Sequence, residues 1–271
     1  MFEMLKRHYH ALVLAFQFLT RIPVYKVFSI ANTVPTPQVS GKALLYYPVV
    51  GAAIGGWLVL LPAALNHFGI LVGPQLQAAL VLVFWVWITG GLHLDGLADS
   101  ADAWLGGFGD KQRTLDLMKD PTCGPSAVVV LVLTLLLKWL ALSEVIHFAQ
   151  TAASWWWLML VMVPVLARLQ AMVLVVHTPY VRGEGLGTQL KNQVQAKWVW
   201  FWVMILVTLM LYQTIALSSA MLAMSALGYA LMRRLMMQRI DGWTGDTAGA
   251  SIEVTELLLL LVMAVSVSVD L

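Results

Sequence analysis

The chain has 271 residues, 60% of them hydrophobic and only 11% charged, with 16 basic against 14 acidic side chains. A soluble domain carries about 25% charged residues, so this composition excludes an ordinary water-soluble enzyme, a disordered chain and a protein that reads duplex nucleic acid through a basic face. It specifies an all-α polytopic membrane protein, and the single cysteine, Cys123, excludes an intrachain disulfide and a zinc site built on cysteine pairs.

The N-terminal run MFEMLKRHYHALVLAF begins basic, and charge resumes at Arg21 without a small-residue cleavage site, so no removable signal peptide is expected. A crossing helix needs about 20 apolar residues. Residues 8–19 are too few, which predicts an interfacial or re-entrant helix there. Residues 43–94 contain no Asp, Glu, Lys or Arg and supply two spans, broken near Asn66-His67 and Gly73-Pro74. Further spans are predicted over 126–142 and 154–176. The uncharged run 198–232 gives two more, hinged within 212–219, and a last span covers 248–269. About seven transmembrane helices therefore form one membrane-embedded domain over residues 1–271.

Basic residues in short loops orient such a chain. With the N-terminus in the cytoplasm, one side receives Lys6, Arg7, Arg21, Lys26, Lys42, Lys111, Arg113, Lys119, Arg182, Lys191, Lys197, Arg233, Arg234 and Arg239, and the opposite loops receive none. Lys138 and Arg168 alone lie within spans. Tryptophans at 155–157 and at 198, 200 and 202 stand at span ends, as an aromatic belt would place them.

All the acids except Glu144 and Asp270 fall in or beside the same cytoplasmic loops, several of them at span ends where carboxylates are costly and mark function. The segment GGLHLDGLADSADAWLGG, residues 90–107, spaces Asp95, Asp99 and Asp102 at i, i+4 and i+7, on one helical face. Like charges stacked this way repel unless a cation lies between them. An oxygen-only donor set points to Mg²⁺ or Mn²⁺ over zinc. The small neighbours Gly96, Ala98, Ser100 and Ala101 leave room for a phosphate-bearing ligand. The structural alternative is a solvated helix end paired with Lys111, Arg113 and Lys119, and His93 reads equally well as an interfacial polar residue or a site residue.

A second cluster, RIDGWTGDTAGASIEVTE over 239–256, opens the last span, with Asp241-Gly242 and Gly245 as turn chemistry and Asp246, Glu253 and Glu256 along one helix face. The helix dipole accounts for Asp246, but Glu253 and Glu256 are too deep for it. Arg182-Gly-Glu-Gly-Leu-Gly187 is a basic, glycine-rich loop whose amides could hold an anion. Lys119-Asp120-Pro121 and Gly124-Pro125 punctuate the start of a span, and Arg168 needs a buried partner, for which an acid of the site would serve. Together these features describe a metal-assisted site for a diphosphate or phosphate ester.

The segments GGLHLDGLADSADAW, MKDPTCGP, FQFLTRIPV (16–24), YYPVVGAAIG (46–55), RGEGLG (182–187) and DGWTGDTAGASIEVTEL (241–257) resemble the adenosylcobinamide-GDP ribazoletransferase (cobalamin synthase) family over most of the chain. The resemblance implies a Mg²⁺-dependent enzyme of the bacterial cytoplasmic (inner) membrane that joins adenosylcobinamide-GDP to α-ribazole or its 5′-phosphate and releases GMP, its site facing the cytoplasm. Nucleic acid is not an expected partner, the lipid bilayer is, and a homo-oligomer is left open. On this reading Asp95, Asp99 and Asp102 bind the metal, and one of them or Asp246 handles the attacking hydroxyl. Arg113, Lys119 and Arg182 neutralise phosphate oxygens, and Gly185 and Gly187 permit close backbone approach. His93, Asp120, Arg168, Asp241 and Glu253 complete the candidate substrate-binding set. The rival readings fit less well. A CDP-alcohol phosphotransferase would want Arg after Ala98, where Asp99 stands. An aromatic prenyltransferase would want Asn-Asp in place of Leu94-Asp95, and a cation-coupled transporter would want acids at the bilayer midplane and repeated halves.

Overall fold

The structure, a computed structural model, describes residues 2–24, 36–70, 72–150, 152, 154–183, 186–190 and 193–268. In chain order the helices are α1 (Phe2–Leu19), α2 (Pro37–Leu44), α3 (Tyr47–His67), α4 (Pro74–Thr89), α5 (Leu92–Gly106), α6 (Lys111–Leu117), α7 (Pro125–Ala149), α8 (Trp155–His177), α9 (Leu186–Leu190), α10 (Ala196–Gln213), α11 (Ile215–Ile240) and α12 (Gly245–Ser268). By length and hydropathy α3, α7, α8, α10, α11 and α12 can each cross a membrane, and α4 with α5 makes a seventh, broken candidate. The chain is thus a polytopic helical membrane protein.

The boundaries follow local chemistry. Gly73-Pro74 and Gly124-Pro125 place proline at the first turn of α4 and α7, where its missing N–H costs nothing. Thr214, in extended backbone, separates α10 from α11 inside the predicted hinge. The charge-free run that reads as a span continuing to Leu94 instead turns at Gly90 and Gly91. Both are left-handed, at φ +65° and +67°, and they bend α4 into α5 by 85°. The Gly90 and Gly91 amides donate to the carbonyls of Trp87 and Val86, closing the end of α4. Arg21 packs so tightly on Gly90 that a Cβ there would lie 2.1 Å from its Cγ. This corner swings the acid helix out of line with its span.

Helix α8 is the hub. Of its membrane window 78% is buried inside the protein, against 17% for α10, which leaves the apolar flank of α10 for lipid. Gly51 and Gly55 let α3 lie directly on α8, since a Cβ at either would come within 2.6 Å of the Pro164 or Val161 carbonyl oxygen. Small residues four apart are the usual means of close helix approach in a membrane, where helices must associate by packing alone. The other pairs that matter for the site are α12 against α5, α8, α7 and α11, and α7 against α4 and α5.

Candidate active site

The segment after α4, the segment after α8 and the turn between α11 and α12 meet at one end of the bundle. Gly96 of α5 is what lets them meet, because a Cβ there would sit 2.6 Å from the Asp246 carbonyl oxygen at the start of α12. One turn deeper, Gly249 lies against the His93 backbone in the same manner. The start of α12 is closed by a pair of threonines. Thr247 Oγ1 accepts from the Thr244 amide at 2.9 Å, and Thr244 Oγ1 accepts from the Thr247 amide at 3.2 Å. That reciprocal cap holds Asp246 at the mouth of the helix.

Asp95 and Asp99 line a cavity of about 250 Å³ between α5 and the 121–127 segment, with Asp102, Thr122 and Cys123 also in its wall. Asp95 is exposed and Asp99 partly buried. Asp99 is repelled by Asp95, Asp246 and Asp102 and attracted by Arg182, so the carboxylates of the two clusters act on one another electrostatically. Asp102 is otherwise engaged. Its Oδ2 accepts from the Gly124 amide at 2.6 Å and its Oδ1 from the Ala127 amide at 2.9 Å, so it caps α7 from a neighbouring helix. Among the described residues no three carboxylate, histidine or cysteine side chains stand close enough to form a metal cage. A pair suffices for Mg²⁺, which usually takes one or two carboxylates and completes its shell with water and substrate phosphates. Asp95 and Asp99, oxygen donors on an open cavity, fit that description.

Arg182 donates to Asp246 at 2.6 Å, both side chains about a quarter exposed. Its Nε finds no partner among the described residues, which leaves a donor for an anion. Gly187 lies flat on the Tyr180 ring, and Gly185 falls outside the described residues. Arg113 and Lys119 are exposed on and after α6, Arg113 lying 5.3 Å from the Phe108 ring centroid. Asp120 accepts from the Thr122 amide and hydroxyl at 2.9 and 2.6 Å, which together hold its carboxyl below the usual carboxylate range. Asp241 stands apart from the acid cluster, exposed, left-handed at φ +58°, and paired with Lys111 at 2.7 Å.

Arg168 and Glu253 lie in the interior. Lys138 Nζ donates to Glu253 Oε2 at 2.5 Å and to Glu256 Oε2 at 2.6 Å, and Arg168 Nη1 donates to Glu256 Oε1. Arg168 Nη2 is 3.5 Å from His93 Nδ1, and the Lys138 ammonium sits 4.7 Å from the Trp85 ring centroid. All four charged side chains are almost wholly buried. Two cations balance two carboxylates, which is how charge survives in an apolar medium. Lys138, Glu256 and Trp85 were outside the candidate set. A lysine within a span and the depth of Glu256 in the last helix are the visible signals, but their pairing is not, since the partners are 115 and more residues apart in sequence.

Cys123, exposed in the cavity wall, offers a direct probe. Alkylation with a bulky maleimide is expected to abolish turnover of the wild-type protein and to leave Cys123→Ser untouched, measured as initial rates before and after labelling. Full activity of the labelled protein would place the reaction elsewhere.

A family model described as cobalamin-5-phosphate synthase matches residues 11–264. The adenosylcobinamide-GDP ribazoletransferase of Stutzerimonas stutzeri (strain A1501) is 45% identical over 257 residues, covering 94% of this chain and 98% of that protein. The protein of that name from Acinetobacter baumannii (strain ACICU) is 41% identical over 257 residues, covering 93% and 96%. One from Pseudomonas aeruginosa (strain PAO1) is 43% identical over 254 residues, covering 94% and 97%. No solved structure matches the chain.

Proposed function

The chain belongs to the cobalamin-5-phosphate synthase family, and from that premise we propose that it joins adenosylcobinamide-GDP to α-ribazole or its 5′-phosphate at the junction of α5 and α12. The observation that carries the siting is the opening of Asp95 and Asp99 onto one cavity, with Asp246 and Arg182 across Gly96. The ribose hydroxyl of the ribazole forms a bond to the phosphorus on the cobinamide side. The bond from that phosphorus to the bridging oxygen breaks, GMP departs with that oxygen, and the hydroxyl proton passes to a carboxylate of the cluster.

Phosphoryl transfer asks for positioning and charge stabilisation more than for covalent help. Arg182, held by Asp246, aims its remaining donors at phosphate oxygens. Asp95 and Asp99 would hold Mg²⁺, which when bound neutralises charge on the diphosphate. The capping bonds of Asp102 tie the start of α7 to α5 and so fix the cavity wall. The buried Lys138–Glu253–Glu256–Arg168 group braces α7, α8 and α12 beneath the site, with His93 linking α5 to it. The basic loops support a reading in which this end of the bundle, and the N-terminus, face the cytoplasm from a bacterial inner membrane, where nucleotide-linked substrates are made.

The test is direct. The purified protein in detergent with both substrates and Mg²⁺ should yield cobamide and GMP in equal amounts, and omission of either substrate should stop both. Absence of GMP with authentic substrates would overturn the proposal.

A further inference from the structure

Beside the Arg182–Asp246 pair lies a second cavity, about 400 Å³, which the transfer chemistry leaves unused. It is walled by Val175, Pro179 and Val194, the rings of Tyr180 and Trp243, and the polar His177 and Thr178, with Leu190 closing one side. The two rings sit 4.8 Å apart at 58°, and the indole is fixed by its Nε1 donating to the Thr178 carbonyl at 3.1 Å. Tyr180 and Trp243 form an isolated parallel bridge, the Trp243 amide donating to the Pro179 carbonyl and the Val181 amide to the Trp243 carbonyl. Two residues past the first and three past the second come Arg182 and Asp246, the ion pair. The Arg182 backbone thus lies about 7 Å past Tyr180, which puts its side chain within reach of the phosphate of a ribonucleotide whose base stacks on the two rings.

The lining discriminates between the two bases present in the reaction. Guanine displays hydrogen-bonding groups on several edges and wants carboxylate or amide partners, yet the described lining has no Asp, Glu, Asn or Gln. A benzimidazole nucleoside asks for apolar and aromatic surface with a polar partner for its one free ring nitrogen, and the lining sets His177 and Thr178 beside the valines and the two rings. We propose that this cavity holds the benzimidazole of the ribonucleoside substrate, stacked by Tyr180 and Trp243, with Arg182 receiving its phosphate end. The inference rests on the transferase reading above and assigns the nucleoside subsite within it.

The experiment is steady-state kinetics on the full chain in detergent, varying α-ribazole at saturating adenosylcobinamide-GDP and then the reverse. Val194→Trp, which fills the cavity, should raise KM for α-ribazole about tenfold or more while KM for adenosylcobinamide-GDP stays at the wild-type value. Leu190→Ala, which empties part of the wall and is the milder change, should raise the same KM in the same selective way. A rise confined to adenosylcobinamide-GDP would assign the cavity to guanine and overturn the proposal, as would unchanged KM values in active variants. A wild-type protein that releases no GMP would instead defeat the transferase reading, and the subsite assignment with it.

Discussion

Asp99→Asn is expected to lower kcat by roughly a hundredfold or more, the scale seen when one preorganised charge-stabilising group is removed from a phosphoryl or acyl transfer site. Asp99 is nearly isosteric with its replacement and, among the described residues, makes no ion pair whose loss would unfold the protein. It feels the charges of Asp95, Asp246 and Asp102 and the attraction of Arg182, so the substitution removes charge from the cluster and leaves the fold alone. Asp95→Asn should act in the same direction. Lys111→Met, which breaks only the exposed pair with Asp241 at the far side of the loop, should retain wild-type turnover. Rates of GMP release from the purified variants, with unchanged chromatographic behaviour, read this out. Full activity in Asp99→Asn would remove the acid helix from the chemistry.

The largest stability effect is expected at Lys138→Met. Loss of the ammonium strands Glu253 and Glu256 with one cation in a space closed to water, and breaking a buried pair in this way costs about 3–5 kcal/mol. For a chain of this length that corresponds to a drop in apparent Tm of roughly 10 °C in detergent. The double variant Lys138→Met, Glu253→Gln should recover much of the loss, since it restores neutrality and keeps the Arg168–Glu256 pair. Equal melting of the single and double variants would mean that charge balance is not what holds these helices together.

These two residues also mark how far the amino-acid sequence can be read. The spans were legible because lipid-facing helices must be apolar and breaks between them need proline, glycine or extended residues. Gly73-Pro74, Gly124-Pro125 and Thr214 all fall where that logic puts them. The corner at Gly90-Gly91 was not legible. No charge interrupts the chain before Asp95, so hydropathy runs straight through a turn that depends on two left-handed glycines. The i, i+4, i+7 spacing brings Asp95, Asp99 and Asp102 to one face and to the wall of one cavity, but which of them keeps its oxygens open to it depends on α7. Its first amides claim Asp102, and nothing local to Asp102 announces a partner more than 20 residues away. Arg168 advertised the need for a buried acid, and Glu256 answers it. Lys138 gave the same signal, and its partners lay too far along the chain for spacing to reveal. Asp241-Gly242 read as turn chemistry, and Asp241 is the left-handed, exposed end of α11, but its pairing with Lys111, 130 residues away, had no local signal.

The central claim is that Asp95 and Asp99 frame a cation-assisted diphosphate site. It is tested most directly by the Mg²⁺ activation curve of GMP release, measured side by side on the wild type and Asp95→Asn. Chelation should abolish wild-type release and Mg²⁺ should restore it, with Asp95→Asn needing about tenfold more metal or greater for half-activation. A wild-type rate indifferent to chelation, or superimposable curves for the two proteins, would contradict the claim.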